Sequence, residues 1–175
     1  MLIVVSGLPG CGKSTIADAV GRVLGVPVFS VDPIEAAIWR SGVPASHETG
    51  VAAYAVAAAL AEHQMRLGMN AIVDAVSAIE IARDMWREAA RQAGAGLRII
   101  EVVCSDARVH KQRLESRRRN IEGFYEPTWG QVLARRTEWQ PWLEQRLVLD
   151  STEDLPSSVT KALTYLRQTT ASPLT

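Results

Sequence analysis

Residues Gly7-Leu8-Pro9-Gly10-Cys11-Gly12-Lys13-Ser14-Thr15 fit the pattern G-x-x-x-x-G-K-[ST], and each fixed position in it has a chemical reason. Gly7, Gly10 and Gly12 permit backbone angles that a Cβ obstructs. Successive N–H groups can then turn inward as a nest for phosphate oxygens. A helix starting near Lys13 adds its free N–H groups and its dipole to the same anion site. Lys13 has the reach to meet β- and γ-phosphates, and the Ser14 hydroxyl can ligate Mg²⁺. Cys11 fills a variable slot; it is expected to be exposed near phosphate, with nothing to mark it as a nucleophile. The nine residues form a nucleotide-binding candidate. The competing reading is a degenerate loop kept for folding.

Such a loop needs a strand before it and a helix after it. Residues 2–6 are apolar and rich in β-branched types, as in a buried strand. Ile16, Ala19, Val20, Val23 and Leu24 recur at helical spacing over 13–24, and Gly25 stops that helix. The same reasoning predicts strands over 26–31, 70–74, 97–104 and 146–149. It predicts helices over 34–39, 47–67, 79–92, 106–118 (capped by Ser105), 128–138 and 155–167, with a frayed end over 169–175. Alternating strands and helices imply βαβ units, hence an α/β fold with a mostly parallel five-stranded sheet covered on both faces. Ligands bind such sheets beyond the carboxyl ends of the strands. That singles out the glycine-rich loop, Asp32, Asp74, Ser105, Asp106 and Asp150.

Composition narrows the classes. At 175 residues the chain is read as one domain over 1–175. Lys+Arg and Asp+Glu are both 19, so no global charge draws it to nucleic acid or an acidic membrane. Its two cysteines form neither a disulfide framework nor a metal-ligand pair. The first residues lack a basic n-region, and the longest apolar run is too short to span a membrane. A soluble cytoplasmic domain is the expectation. Neither Asn70 nor Asn120 opens an Asn-Lys-x-Asp guanine-reading signature, which favours ATP. The length leaves little room for the second helical domain of a ring-forming ATPase.

Four features together resemble a known group: the N-terminal loop, Ser30-Val31-Asp32, Ile72-Val73-Asp74, and Arg113-x-x-x-Arg117. They are similar to those of the small P-loop kinases of the AAA_33 type, which include gluconate and shikimate kinases, chloramphenicol phosphotransferase, zeta toxins and the kinase domain of polynucleotide kinase. The resemblance covers nearly the whole chain and implies a three-layer P-loop NTPase fold with a small lid, here roughly 117–130. It implies that Asp32, nineteen residues after Lys13, is the general base that takes the acceptor hydroxyl's proton. It implies that Asp74 supports Mg²⁺ through water, together with Ser14. It also implies that lid arginines neutralise the transferred phosphoryl group and stack on adenine, Arg117 foremost, then Arg113, with Arg118 and Arg119 weaker candidates. Each residue has a plainer alternative. Asp32-Pro33 is a good helix opening with Asp32 as cap. Asp74 could cap a helix or accept a substrate hydrogen bond, and the arginines could be a solvated helix end on one shared face.

The implied activity is ATP-dependent phosphorylation of a hydroxyl on a small molecule, recognised by the region 33–67. Trp39 is read as core, Arg40 as solvated surface, His47 and His63 as non-ligands and Tyr54 as packing. Trp86, Trp129, Trp139 and Trp142 are read first as core and second as a stacking platform for the acceptor. Arg83 is open between function and a salt-bridged helix. Two alternatives stand beside this activity: a polynucleotide-end kinase and a non-catalytic ATP-binding regulatory module.

Overall fold

The computed structural model describes residues 1–117, 119 and 121–168. The expectations for Arg118 and for 169–175 lie outside the described residues. In chain order the elements are β1 (Leu2–Ser6), α1 (Lys13–Leu24), β2 (Val28–Ser30), α2 (Val31–Arg40), α3 (His47–Arg66), β3 (Ala71–Ala75), α4 (Glu80–Gln92), β4 (Leu97–Val103), α5 (Ala107–Ser116), α6 (Trp129–Thr137), β5 (Arg146–Asp150) and α7 (Leu155–Arg167). The strands form one sheet in the order β2-β3-β1-β4-β5, every pair parallel.

β1 explains why the sheet has two covered faces. Leu2 and Val4 enter one core with Ala57, Ala61 and Trp86 of α3 and α4. Ile3 and Val5 enter the other with Ile16, Val20 and Ala162 of α1 and α7. Alternate side chains point to opposite faces, so a strand covered on both sides must be apolar throughout. All four are fully buried, each contributing about 1.5–3 kcal/mol. β1 pairs with β3 on one side and β4 on the other. The crevice beyond its carboxyl end is where such a sheet accepts ligands.

Three local expectations are corrected. α2 begins at Val31, with Ser30 in the cap position, so Asp32 lies inside the first turn and caps nothing. Pro33 is tolerated there because first-turn N–H groups have no helical acceptor. α5 is capped by Asp106 and not by Ser105: one Asp106 carboxylate oxygen accepts from the N–H groups of Arg108 and Val109 at 2.8 and 3.1 Å. α5 also ends at Ser116. Arg117 follows with extended backbone (φ −61°, ψ 140°), so Arg113 and Arg117 do not share a helix face.

Candidate active site

The loop after β1 is shaped by close approach. A Cβ on Gly7 would stand 2.3 Å from the Val102 carbonyl oxygen of β4, so only glycine lets the loop turn there. Gly12 has φ +96° and leads directly into α1, leaving the first N–H groups of that helix without helical acceptors. His110 of α5 steadies the loop, its Nε2 lying 2.9 Å from the Pro9 carbonyl oxygen. Lys13 is 4 % exposed, Ser14 half-buried and Thr15 exposed. Cys11 departs from expectation. It is 1 % exposed and packs with Ile16 and Val102 in the α1 core. Burial pushes its thiol up to about 11, so only its backbone remains available to phosphate.

Two carboxylates meet this loop. β2 and β3 bring Ser30 opposite Asp74 in register, and the Ser30 hydroxyl donates to Asp74 Oδ2 at 2.8 Å. Asp74 Oδ1 is buried and has no hydrogen-bond partner among the described residues. An acceptor oxygen buried in this way favours a cation or a bound water beside it. Burial works against the Lys13 ammonium, but the charges of Asp74 and then Asp32 outweigh it and raise its pKa above the ordinary lysine value. Burial likewise pushes the Asp32 carboxyl up. Lys13, then Arg119 and Arg117, overcome that and hold it below the ordinary aspartate value. Glu35, one turn beyond Asp32, is raised by burial and by the Asp32 charge.

The arginines sort differently from the sequence expectation. Arg119, the weaker candidate, meets Asp32: its Nη1 donates to Asp32 Oδ2 at 2.6 Å. Its Nε and Nη2 also donate to the two oxygens of Glu126 at 2.7 and 2.9 Å, and its guanidinium lies 4.8 Å from the Phe124 ring centroid. Arg117 is drawn against the same Glu126 carboxylate. Its Nε and Nη2 are nevertheless buried without a well-directed hydrogen bond among the described residues. Arg113 is elsewhere. Its Nη1 donates to the Ser151 carbonyl and hydroxyl oxygens at 3.0 and 2.9 Å, beyond β5. Gly12 adjoins Ser151, so Arg113 sits on the β5 side of the loop, apart from the carboxylates.

The region 33–67, expected from the sequence to recognise an acceptor, also holds corrections. Trp39 is half-buried; its ring stacks on Phe124 at 5.3 Å and meets Tyr125 at 5.4 Å, joining α2 to the lid instead of the core. Arg40 reaches the same segment, donating to the Glu122 carbonyl at 2.5 Å. Tyr54 does pack, stacked 5.3 Å from Trp86, with its hydroxyl accepting from the Ser77 N–H at 3.1 Å. His47 and His63 are exposed on α3. Trp86 and Trp142 are buried. Arg83 is salt-bridged within its helix, to Glu80 at 2.8 Å, and is itself fully buried. It donates to the carbonyls of Ser77, Ala78, Gln140 and Pro141 and to Glu80, 4.2 Å from the Trp142 ring centroid. A crevice of about 300 Å³ opens behind the loop between Gly7, Cys104, His110, Arg136 and Trp139. Neither Asp32 nor Asp74 lines it. Sequence reasoning missed Glu126 and Glu35, which carry no motif or periodic signal.

Comparison with known proteins agrees with this fold. A family model for AAA_33, described as an AAA domain, matches residues 2–141. No curated protein matches the chain. Among solved structures, a sugar kinase from Janibacter sp. HTCC2649 superposes with a TM-score of 0.72 at 22% identity, over 94% of this chain and 93% of that one. A gluconokinase from Sinorhizobium meliloti 1021 gives 0.67 at 21%, over 94% and 90%. The Mycobacterium tuberculosis APS kinase CysC in complex with AMPPNP and APS gives 0.70 at 17%, over 95% and 97%. At such identities the structural likeness speaks for the fold. No helix among the described residues is long and apolar enough to cross a membrane. With its glycine-rich loop at the head of a β2-β3-β1-β4-β5 sheet and a match over residues 2–141, the chain belongs to the AAA_33 family and has the fold of the small P-loop kinases.

Proposed function

We propose that this protein transfers the γ-phosphoryl group of ATP to a hydroxyl of a small molecule. The observation that supports this reading best is convergence. The loop lysine, two carboxylates from the ends of β2 and β3, and the lid arginines Arg117 and Arg119 act on one another at one end of the sheet.

The loop N–H groups and Lys13 bind the triphosphate. Asp74 and Ser14 suit Mg²⁺, because Asp74 Oδ1 is a buried acceptor in want of a partner and Ser14 opens the helix at the loop's end. Held by these two residues, Mg²⁺ would offset negative charge on the bound phosphates. Asp32 accepts the proton of the acceptor hydroxyl. The hydroxyl oxygen forms a bond to the γ-phosphorus as the bond from that phosphorus to the bridging oxygen breaks, and ADP leaves with the electron pair. Asp32 needs no raised pKa for this, because the transition state is loose and demands mainly positioning. Arg117 and Arg119 supply charge to the phosphoryl oxygens, and Arg113, bonded to Ser151, serves the nucleotide side of the loop. Closure of the lid over the cleft would exclude water, which favours transfer to a hydroxyl over simple hydrolysis.

The test is ATP turnover against a panel of sugars, nucleosides, antibiotics and oligonucleotide ends. Lys13→Ala is expected to abolish turnover, and full retention overturns the assignment. Asp32→Asn is expected to lower kcat by about 10²–10⁴-fold with little change in ATP affinity. Equal losses in both point to binding or folding instead. ATP binding with no acceptor turned over leaves the regulatory-module alternative standing. Salt-dependent phosphorylation of oligonucleotide ends replaces the small molecule by a polynucleotide.

A further inference from the structure

Glu126 stands outside every motif in the chain, yet both lid arginines converge on it. It grips Arg119 in a two-pronged fork, with Nε–Oε1 at 2.7 Å and Nη2–Oε2 at 2.9 Å, and the Arg117 guanidinium is drawn to the same carboxylate. The third edge of Arg119 is free of Glu126 and points at Asp32, 2.6 Å away. The face of the guanidinium lies against Phe124. Arg119 is thus fixed in plane and in rotation, with one N–H edge presented to the cleft. Two guanidiniums this close repel each other, and Arg117 is already pulled below its ordinary pKa by burial and then by Arg119. The shared carboxylate keeps them together.

We propose that Glu126 is a positioning residue that holds Arg117 and Arg119 in a fixed pair aimed at the γ-phosphate, so that Arg119 can exchange Asp32 for phosphate oxygens without losing its orientation. The inference rests on the nucleotide reading of the cleft. A planar fork costs little to reorganise because it is already immobilised. When the phosphoryl group arrives, the free edge of Arg119 transfers to it, and Asp32 is released to take a proton. The buried Nε of Arg117, which has no partner among the described residues, is a donor for the same anion while Nη2 stays with Glu126. Without Glu126, Arg119 retains Asp32 as its partner while Arg117 is repelled outward. The γ-phosphate then loses its donors, and the α- and β-phosphates keep theirs in the loop.

That separation gives the experiment. Dissociation constants for ADP and AMPPNP, each with Mg²⁺, are measured by calorimetry for the wild type, Glu126→Gln and Arg119→Lys. Glu126→Gln is expected to weaken AMPPNP by about 10- to 100-fold and ADP by less than about 3-fold. Arg119→Lys keeps the charge but cannot span Glu126 and Asp32 together, and should reproduce the split. The Glu126 side chain is 38% exposed, so the fold does not depend on it; an unchanged melting temperature checks this. Parallel weakening of both nucleotides, or no weakening of AMPPNP, overturns the positioning role while leaving the kinase reading intact. A wild-type protein that binds neither nucleotide overturns both.

Discussion

Asp32 is asked to be a proton acceptor while sitting between Lys13 and Arg119. Burial raises its pKa, yet the cations on both sides bring the net below the ordinary aspartate value. In the proposed chemistry it is therefore ionised wherever the enzyme works, and no activity limb is expected near neutral pH on its account. On a confirmed acceptor, kcat/KM should stay level on the acid side until the pH falls below the ordinary aspartate range. Arg119→Ala removes a cation and should shift the acid limb upward; a limb that stays in place sets Asp32 aside as the base. The stability sign is the same. A depressed folded pKa contributes stability that is complete above the unfolded value and lost as pH falls through the folded one. Acid should therefore weaken the Asp32–Arg119 link between α2 and the lid. Lys13 behaves oppositely: with its pKa raised, its contribution holds below the unfolded lysine value and is lost as pH rises through the folded one.

At the scale of elements, the turn after β3 shows how the site is made rigid. Ser77 adopts φ +50°, in the left-handed region, and is fully buried. Its Oγ accepts from Trp86 Nε1 at 2.9 Å, its N–H donates to Tyr54, and its carbonyl accepts from Arg83 Nε at 2.9 Å. Arg83 carries the same turn across to Gln140 and Pro141, behind α6. The turn that follows Asp74 is thus bonded to α3, α4 and the α6–β5 connection at once, which fixes the carboxylate's exit from the strand. Ser77→Ala and Ser77→Gly both abandon the Trp86 N–H, a loss of about 1–3 kcal/mol. Glycine additionally relieves the left-handed backbone, worth about 1 kcal/mol. The glycine variant is expected to be the more stable of the two in urea unfolding. The opposite order means the turn is not strained.

Across the whole molecule, the lid and the acceptor-side helix form one strap. Trp39 stacks on Phe124 and Tyr125, Arg40 holds the Glu122 carbonyl, and Asp32 holds Arg119. All three anchors on one side belong to α2, so in the proposed reading an acceptor bound against α2 and a nucleotide held by the lid would act on the same contacts. The Trp39 ring is in turn fixed by Nε1 donating to Thr49 Oγ1 at 2.9 Å, on α3. Trp39→Ala should speed amide hydrogen exchange over residues 121–126 while β1 and β3 keep their protection. Equal acceleration in the sheet shows Trp39 to be a core residue after all.

Much of this was legible locally. The glycine-rich loop, the apolar strand before it and the amphipathic helix after it lie within 24 residues, and the two acidic strand ends follow from the α/β alternation. These signals are short-range: a motif fixes its own backbone, and periodicity fixes which face is buried. Tertiary structure decided which arginine meets Asp32, because the pair is 87 residues apart and the lid carries no period to align. It also put the Cys11 thiol into the α1 core, where the side of the loop facing away from phosphate meets Ile16 and Val102. It turned Arg83 inward, since four carbonyls from two separate turns converge only once the chain has folded. The sequence by itself determined the phosphate-binding loop and the sheet that carries it. The charge network over that loop joins residues distant in sequence, and only the packed chain brings them within hydrogen-bond reach.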